Sequence, residues 1–159
     1  MGSATSAAGR LIVVGFDGSR SSDAALRWVL GVAAQPGDAV HAVMVLPTET
    51  LLPGTSWALQ PHGRRPAGSY SPHEHIANIR AEFAEASPVT ISTPQGHPAT
   101  ELITASTDAD LLVVGARGAG RTRELLLGSV SRECVRYSRC PVVVVTPEAA
   151  RRLVPTPTG

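Results

Sequence analysis

Five short apolar runs punctuate the chain, and between them the apolar residues fall at helical spacing. Leu11-Ile12-Val13-Val14-Gly15-Phe16 is continuously apolar, as expected of a strand buried on both faces of a parallel sheet. Ala39 to Leu46 reads as a second strand, and Val89-Thr90-Ile91-Ser92, with its period-two alternation, as a third. Leu111 to Val114 and Val142 to Thr146 supply the fourth and fifth. Ser21 to Ala34 places Ala25, Leu26, Val29, Leu30 and Ala33 on one helical face, with Ser19 or Ser21 as N-cap and Pro36-Gly37-Asp38 as stop. A second helix runs from Pro72 or His73 to about Ala86 on Ile76, Ile79 and Phe83. A third starts at Gly96-His97-Pro98, with Leu102, Ile103 and Ala105 inward, and a fourth spans Ser129 to Arg139. Strands alternating with helices predict right-handed βαβ units, hence an α/β fold with an open parallel sheet and helices on both faces.

Three stretches fall outside this pattern. Residues 1–9 read as a disordered leader, and 148–159 as a C-terminal tail after a single domain over 10–147. Residues 47–72 hold five prolines and three glycines without periodicity, which predicts a long loop, a lid or a partner surface. Trp57 within it is expected to fold back and anchor the loop.

Composition narrows the chemistry. The 159 residues fit one domain, and a net charge of +1 implies no nucleic-acid partner. All fourteen cationic residues are Arg. Without Lys there is no P-loop lysine, Schiff base or Ser-Lys pair, so phosphates would be held by backbone amides, hydroxyls and Arg. Cys134 and Cys140 form no metal-ligand pattern and read as buried thiols of a protein in a reducing cytoplasm. No apolar run approaches the ~20 residues of a membrane span. The opening Met1-Gly2-Ser3-Ala4-Thr5-Ser6 formally fits a myristoylation pattern, but a small-residue leader or tag is the better reading. His41 is read as a strand residue. His73 and His75, two apart on a helix, point away from each other rather than toward one metal.

The most specific signal is a glycine pattern: Gly115-x-x-Gly118, nine residues, then Gly128-Ser129, set between the fourth strand and the last helix. Strand, glycine-rich loop and helix N-terminus make an anion site, because free amides and the positive helix end converge. Glycines there let a phosphate approach the backbone and permit positive φ. The spacing is neither a Walker loop nor a Rossmann fingerprint.

This pattern resembles the ATP-binding signature of the universal stress protein family, and the resemblance covers roughly residues 10–147. It implies a five-stranded, Rossmann-like sheet in the order 3-2-1-4-5. The order then reverses between the strands closed by Asp17 and Gly115, where open α/β sheets bind ligands. It also implies site roles. Asp17 would accept hydrogen bonds from adenine or ribose, and Val45 would meet the adenine edge through its backbone. Val114 and Gly115 would line the sugar, and Gly118, Gly128, Ser129, Val130 and Ser131 would cradle the phosphates of ATP, with Mg. Arg117 joins the list from its place in the loop alone. Plainer roles stand beside these: Asp17 as a helix cap, Ser129 as an N-cap, Arg121 and Arg123 as solvent-facing.

The resemblance implies a nucleotide-dependent regulatory or stress-response protein. The rivals are a slow ATPase or nucleotidyl-transfer enzyme and a ligand-free dimerisation module. Gly15-Phe16-Asp17-Gly18-Ser19 is distantly similar to the pyrophosphatase loop of adenylating enzymes, but the opening Ser-Gly pair is missing. With Asp17 at the nucleoside and Glu124 the only carboxylate in the phosphate loop, slow hydrolysis is the most to expect. In the implied order Val142–Val145 is an uncharged edge strand, which predicts a homodimer. A protein partner and phosphorylation at Ser129 and Ser131 are further family-based expectations.

Overall fold

The computed structural model describes residues 9–48, 70–117 and 127–154. Trp57, Gly118, Arg121, Arg123, Glu124 and nearly all of the leader lie outside these residues. In chain order the elements are β1 (Leu11–Gly15), α1 (Arg20–Trp28), β2 (Ala39–Val43), α2 (Pro72–Ala81) and β3 (Val89–Ser92). They continue with α3 (Pro98–Ala105), β4 (Leu111–Gly115), α4 (Ser129–Tyr137), β5 (Val142–Val145) and α5 (Pro147–Leu153).

The strands form one parallel sheet in the order β3-β2-β1-β4-β5. β1 is central, with Val14 level with Ala42 on one side and Val113 on the other. Right-handed crossovers that run outward through β1, β2 and β3 put α1 and α2 on one face. The return through β4 and β5 puts α3 and α4 on the opposite face. The core divides accordingly. Ile12, Val14, Val40 and Ala42 pack with Leu26, Val29, Ile76 and Ile79 on the first face. Val13, Leu112 and Val114 pack with Ala99, Leu102 and Cys134 on the second. Burial pushes the Cys134 thiol up to about 11, whereas Cys140 is only half-buried.

Residues 147–153, read from the sequence as the start of a tail, are the helix α5. The outward crossovers leave the β5 side of the first face without a connecting helix, and α5 covers it. Ala150 is buried in the cluster that holds Val113 and Val145, and Val154 packs against the same cluster. The local signals are plain: Thr146 caps the amide of Ala149 at 3.1 Å, and Pro147 occupies the first turn.

Boundaries shifted elsewhere. α1 widens over Val29–Ala33, where the Ala34 amide reaches back to the Val29 carbonyl at 2.8 Å. α2 stops at Ala81, and Phe83 still packs on the first cluster. β2 ends at Val43, with Leu46 rejoining the sheet only as a bridge to Gln95.

The amino ends of the strands are tied by charge. Asp38 accepts from the Arg10 amide at 2.9 Å, from the Arg10 guanidinium at 2.6 Å and from the Gln35 amide at 2.9 Å. These bonds, the guanidinium first, hold its carboxyl down at about 2. Asp110 accepts from the Leu11 amide at 2.8 Å.

Candidate functional site at the carboxyl ends of β1 and β4

The chain leaves β1 and β4 in opposite directions, and the two exits are pinned to each other by the first turn of α1. Asp17 follows Phe16 and is exposed. Its Oδ1 accepts from the Ser19 amide at 2.9 Å, which shapes the turn. The N-cap of α1 is Ser19, whose hydroxyl oxygen accepts from the Ser22 amide at 3.2 Å. Asp17 is therefore a turn residue ahead of the cap. Gly18 has φ +75, a left-handed conformation that favours glycine.

Gly115 has a reason for being glycine that the sequence did not reveal. A Cβ there would stand 2.5 Å from Ser21 Oγ and 2.7 Å from the Ser21 carbonyl carbon, a clash with helix backbone. The Ser21 hydroxyl oxygen also accepts from the Arg117 amide at 3.2 Å. Positive φ is not the reason, since the left-handed glycines among the described residues are Gly18, Gly37 and Gly96. Gly128 has φ −61, a conformation open to any residue. Ser21 is a structural member of the site that sequence reasoning treated only as an optional cap.

The N-terminus of α4 differs from that of α1, its neighbour across the cleft. Ser19, Ser71 and Thr146 cap α1, α2 and α5 with side-chain oxygens, whereas α3 at His97 and α4 at Gly128 begin with no side-chain cap, and of these two only α4 starts beside the exit of β4. What holds it is a backbone bond and a hydroxyl from its own first turn. The Gly128 amide donates to the Ala116 carbonyl at 2.8 Å, and the Ser131 hydroxyl lies 3.2 Å from that carbonyl and 3.0 Å from the Gly128 carbonyl. Ser131 is buried, and its hydroxyl serves the helix start, which leaves its amide rather than its hydroxyl as the group for an anion. Ser129 is exposed at the first position, and half-buried Val130 packs against the second core cluster beside Val114.

Val45 lies past the end of β2, half-buried against that same cluster. The amides of Met44 and Leu46 donate toward β3, to Ser92 at 2.9 Å and Pro94 at 2.8 Å. Strand alternation turns the Val45 amide and carbonyl the other way, toward β1. The last β1–β2 bond, Phe16 amide to Val43 carbonyl at 2.9 Å, lies just before this point. Val45 thus offers its backbone to the cleft beside Asp17.

The structure gathers Asp17, Val45, Val114, Gly115, Arg117, Gly128, Ser129, Val130 and Ser131 at one end of the sheet, at the reversal of strand order. Gly118 lies outside the described residues. Of the histidines considered for metal, His41 bonds Ser92 Oγ at 2.8 Å, His73 is exposed, and His75 turns toward Asp23. Among the described residues no group of three potential ligands could hold a metal ion, and no helix is long and apolar enough to cross a membrane.

Comparison with known proteins is consistent with this geometry: the model of the universal stress protein family matches residues 10–146. The chain belongs to the universal stress protein family. Curated family members include Rv2623 of Mycobacterium tuberculosis, 33% identical over 154 residues that cover 86% of this chain and 48% of that protein. PHOS34 of Arabidopsis thaliana is 32% identical over 165 residues, covering 89% of this chain and 63% of the relative. The chain thus spans about half the length of the mycobacterial universal stress protein. Among solved structures, a universal stress protein in complex with cAMP superposes with TM-score 0.59 at 26% identity, over 89% of this chain and 99% of that one. An Arabidopsis thaliana family member with AMP bound aligns at TM-score 0.53 and 19% identity, over 86% and 91% of the two chains, and its likeness is one of fold.

Proposed function

We propose that this chain binds an adenine nucleotide between the carboxyl ends of β1 and β4, with ATP and Mg as the expected physiological form. Occupancy would modulate conformation or partner choice in a regulatory, stress-response role. The observation that carries this reading is the uncapped N-terminus of α4, held open beside Ala116 in the cleft where strand order reverses. Phosphates there would meet the amides of Ser129, Val130 and Ser131, with Gly128, whose own amide is engaged by Ala116, letting them approach the backbone, and Gly118 and Arg117 on the loop side. Asp17 and the Val45 backbone would take the nucleoside, and Val114 and Gly115 the sugar. The complex of a 26%-identical family member with cAMP supports the ligand class.

The first experiment denatures the purified protein and identifies any released nucleotide, then titrates ATP with and without Mg by calorimetry. Binding weakened roughly tenfold or more by Asp17→Ala, with a cooperative thermal transition retained, is the expected outcome. Failure of ATP, ADP, AMP and cAMP alike to bind would reject the reading.

The proposed assembly is a homodimer through Val142–Val145. β5 pairs with β4 on one side, and Val142, Val143 and Val144 are half-exposed. A molecular mass of one chain by light scattering at micromolar concentration would contradict it.

A further inference from the structure

The two chain neighbours of Asp17 both touch a cluster that the nucleotide reading leaves unused. His75, near the start of α2, meets Phe16 edge to face, with ring centroids 5.3 Å apart at 88°. Tyr70 meets His75 in the same manner, 5.6 Å apart at 84°. The Tyr70 hydroxyl rests over Gly18, where a Cβ would stand 2.6 Å from it. One imidazole and the tyrosine seated on it thus flank Asp17 through Phe16 before it and Gly18 after it.

The imidazole is held by α1. His75 Nε2 lies 3.1 and 3.2 Å from the two oxygens of Asp23. Only Oδ2 has hydrogen-bond geometry, and Oδ1 is buried without a hydrogen-bond partner among the described residues. Both side chains are largely covered, 22% exposed for His75 and 18% for Asp23. Besides His75, the charged groups acting on Asp23 are Arg27 on α1 and Asp17 in the turn. Burial pushes the Asp23 carboxyl above its ordinary value, His75 and Arg27 oppose this, and Asp17 adds to it.

We propose that His75 is a positioning residue for Asp17, its protonation against Asp23 setting how firmly the Phe16–Asp17–Gly18 turn is held for its ligand. A neutral imidazole offers Asp23 one N–H. An imidazolium adds a full charge beside a partly desolvated carboxylate whose second oxygen lacks a hydrogen bond, and such a pair is stronger than one in open water. Because Phe16 and Tyr70 rest on the same ring, the order gained at His75 passes to both sides of Asp17. The proposal builds on the nucleotide reading of the site.

The test uses cAMP, which has no group titrating between pH 5.5 and 8, on the full chain. Affinity is expected to be roughly three- to tenfold tighter at the acid end, where the imidazolium form is favoured. His75→Gln and Asp23→Asn should each flatten the profile. In parallel, NMR follows the His75 ring protons and the Asp17 amide against pH in the free protein. An Asp17 amide that titrates with His75 supports the coupling. If it does so while cAMP binds at no pH, the coupling stands and the nucleotide reading is what fails. Binding that is independent of pH, or a step that survives in His75→Gln, overturns the proposal. Should His75→Gln fail to fold, Asp23→Asn and the wild-type NMR titration still decide it.

Discussion

The two ends of the sheet treat their polar groups in opposite ways. At the amino ends, Asp38 gathers the Arg10 guanidinium with the amides of Arg10 and Gln35, and Asp110 takes the Leu11 amide. At the carboxyl ends, α4 starts without a side-chain cap and Asp17 stands exposed with one oxygen engaged in its turn. The first end is closed around its own hydrogen bonds and secures the fold. The second is held in shape by backbone bonds and by the hydroxyls of Ser21 and Ser131, and it leaves donors and an acceptor facing outward, as the proposed binding cleft requires. Charge here marks stability at one end of β1 and, on the proposed reading, a ligand contact at the other.

The largest effect should come from joining the two roles at Gly115. Valine there would drive methyl groups into the backbone of Ser21, so Gly115→Val should cost about 3 kcal/mol of stability by urea unfolding. Nucleotide affinity should fall with it, because α1 and β4 frame the cleft together. Gly118→Val sharpens the contrast: as a proposed phosphate contact, it should weaken binding and leave the urea midpoint in place. If the Gly115 variant loses less than about 1 kcal/mol, α1 yields readily and the close approach is not a constraint.

At the opposite end the expected pattern is reversed. Asp38→Ala should cost about 2 kcal/mol by removing the carboxylate that accepts from the Arg10 guanidinium and from the amides of Arg10 and Gln35, with cAMP or ATP affinity unchanged. The pH dependence follows from the same contacts. Asp38 is held at about 2 when folded, against about 3.9 in an unfolded chain. A depressed folded value means that the contribution is fully present above pH ~4 and is lost as pH falls toward ~2. Glu82, lowered by its hydrogen bonds to Arg27, works in the same direction. Acid unfolding of Asp38→Ala should therefore show a shallower slope over that window than the wild type. An identical slope would mean that Asp38 is not held down by its partners.

What the sequence made legible follows from how local each signal is. The strands could be read because two-faced burial demands continuous apolar runs, and Val89–Ser92 came out at its observed limits. The order of the strands could not be read from periodicity, which says nothing about which edges meet, and it came from the glycine spacing through resemblance. α5 was missed although Thr146-Pro147 is a helix-start signal, because the prolines and arginines that follow suggested a tail. The need for it is tertiary: a bare patch left by the crossovers. Gly115 was singled out for its place in the glycine spacing, and its close approach to Ser21, 94 positions earlier, is invisible in a local pattern. The link from His75 to Asp23 spans 52 positions and was hidden in the same way.

The smallest expected effect, at Ser131, separates architecture from ligand contact within the cleft itself. Its hydroxyl is the one side-chain group described here that ties the start of α4 to the exit of β4, through Ala116. Ser131→Ala removes that tie and leaves the backbone bond from Gly128 to Ala116, so stability should fall by about 1 kcal/mol. If the hydroxyl serves only to place the helix start, affinity should drop a few-fold and by the same factor for adenosine-bearing ligands with one phosphate or three. If it instead meets a phosphate directly, the loss should grow with phosphate number while stability barely moves. Comparing AMP with ATP on this one variant, alongside its urea midpoint, therefore reads whether the open end of the sheet keeps its shape by the same rules as the closed end.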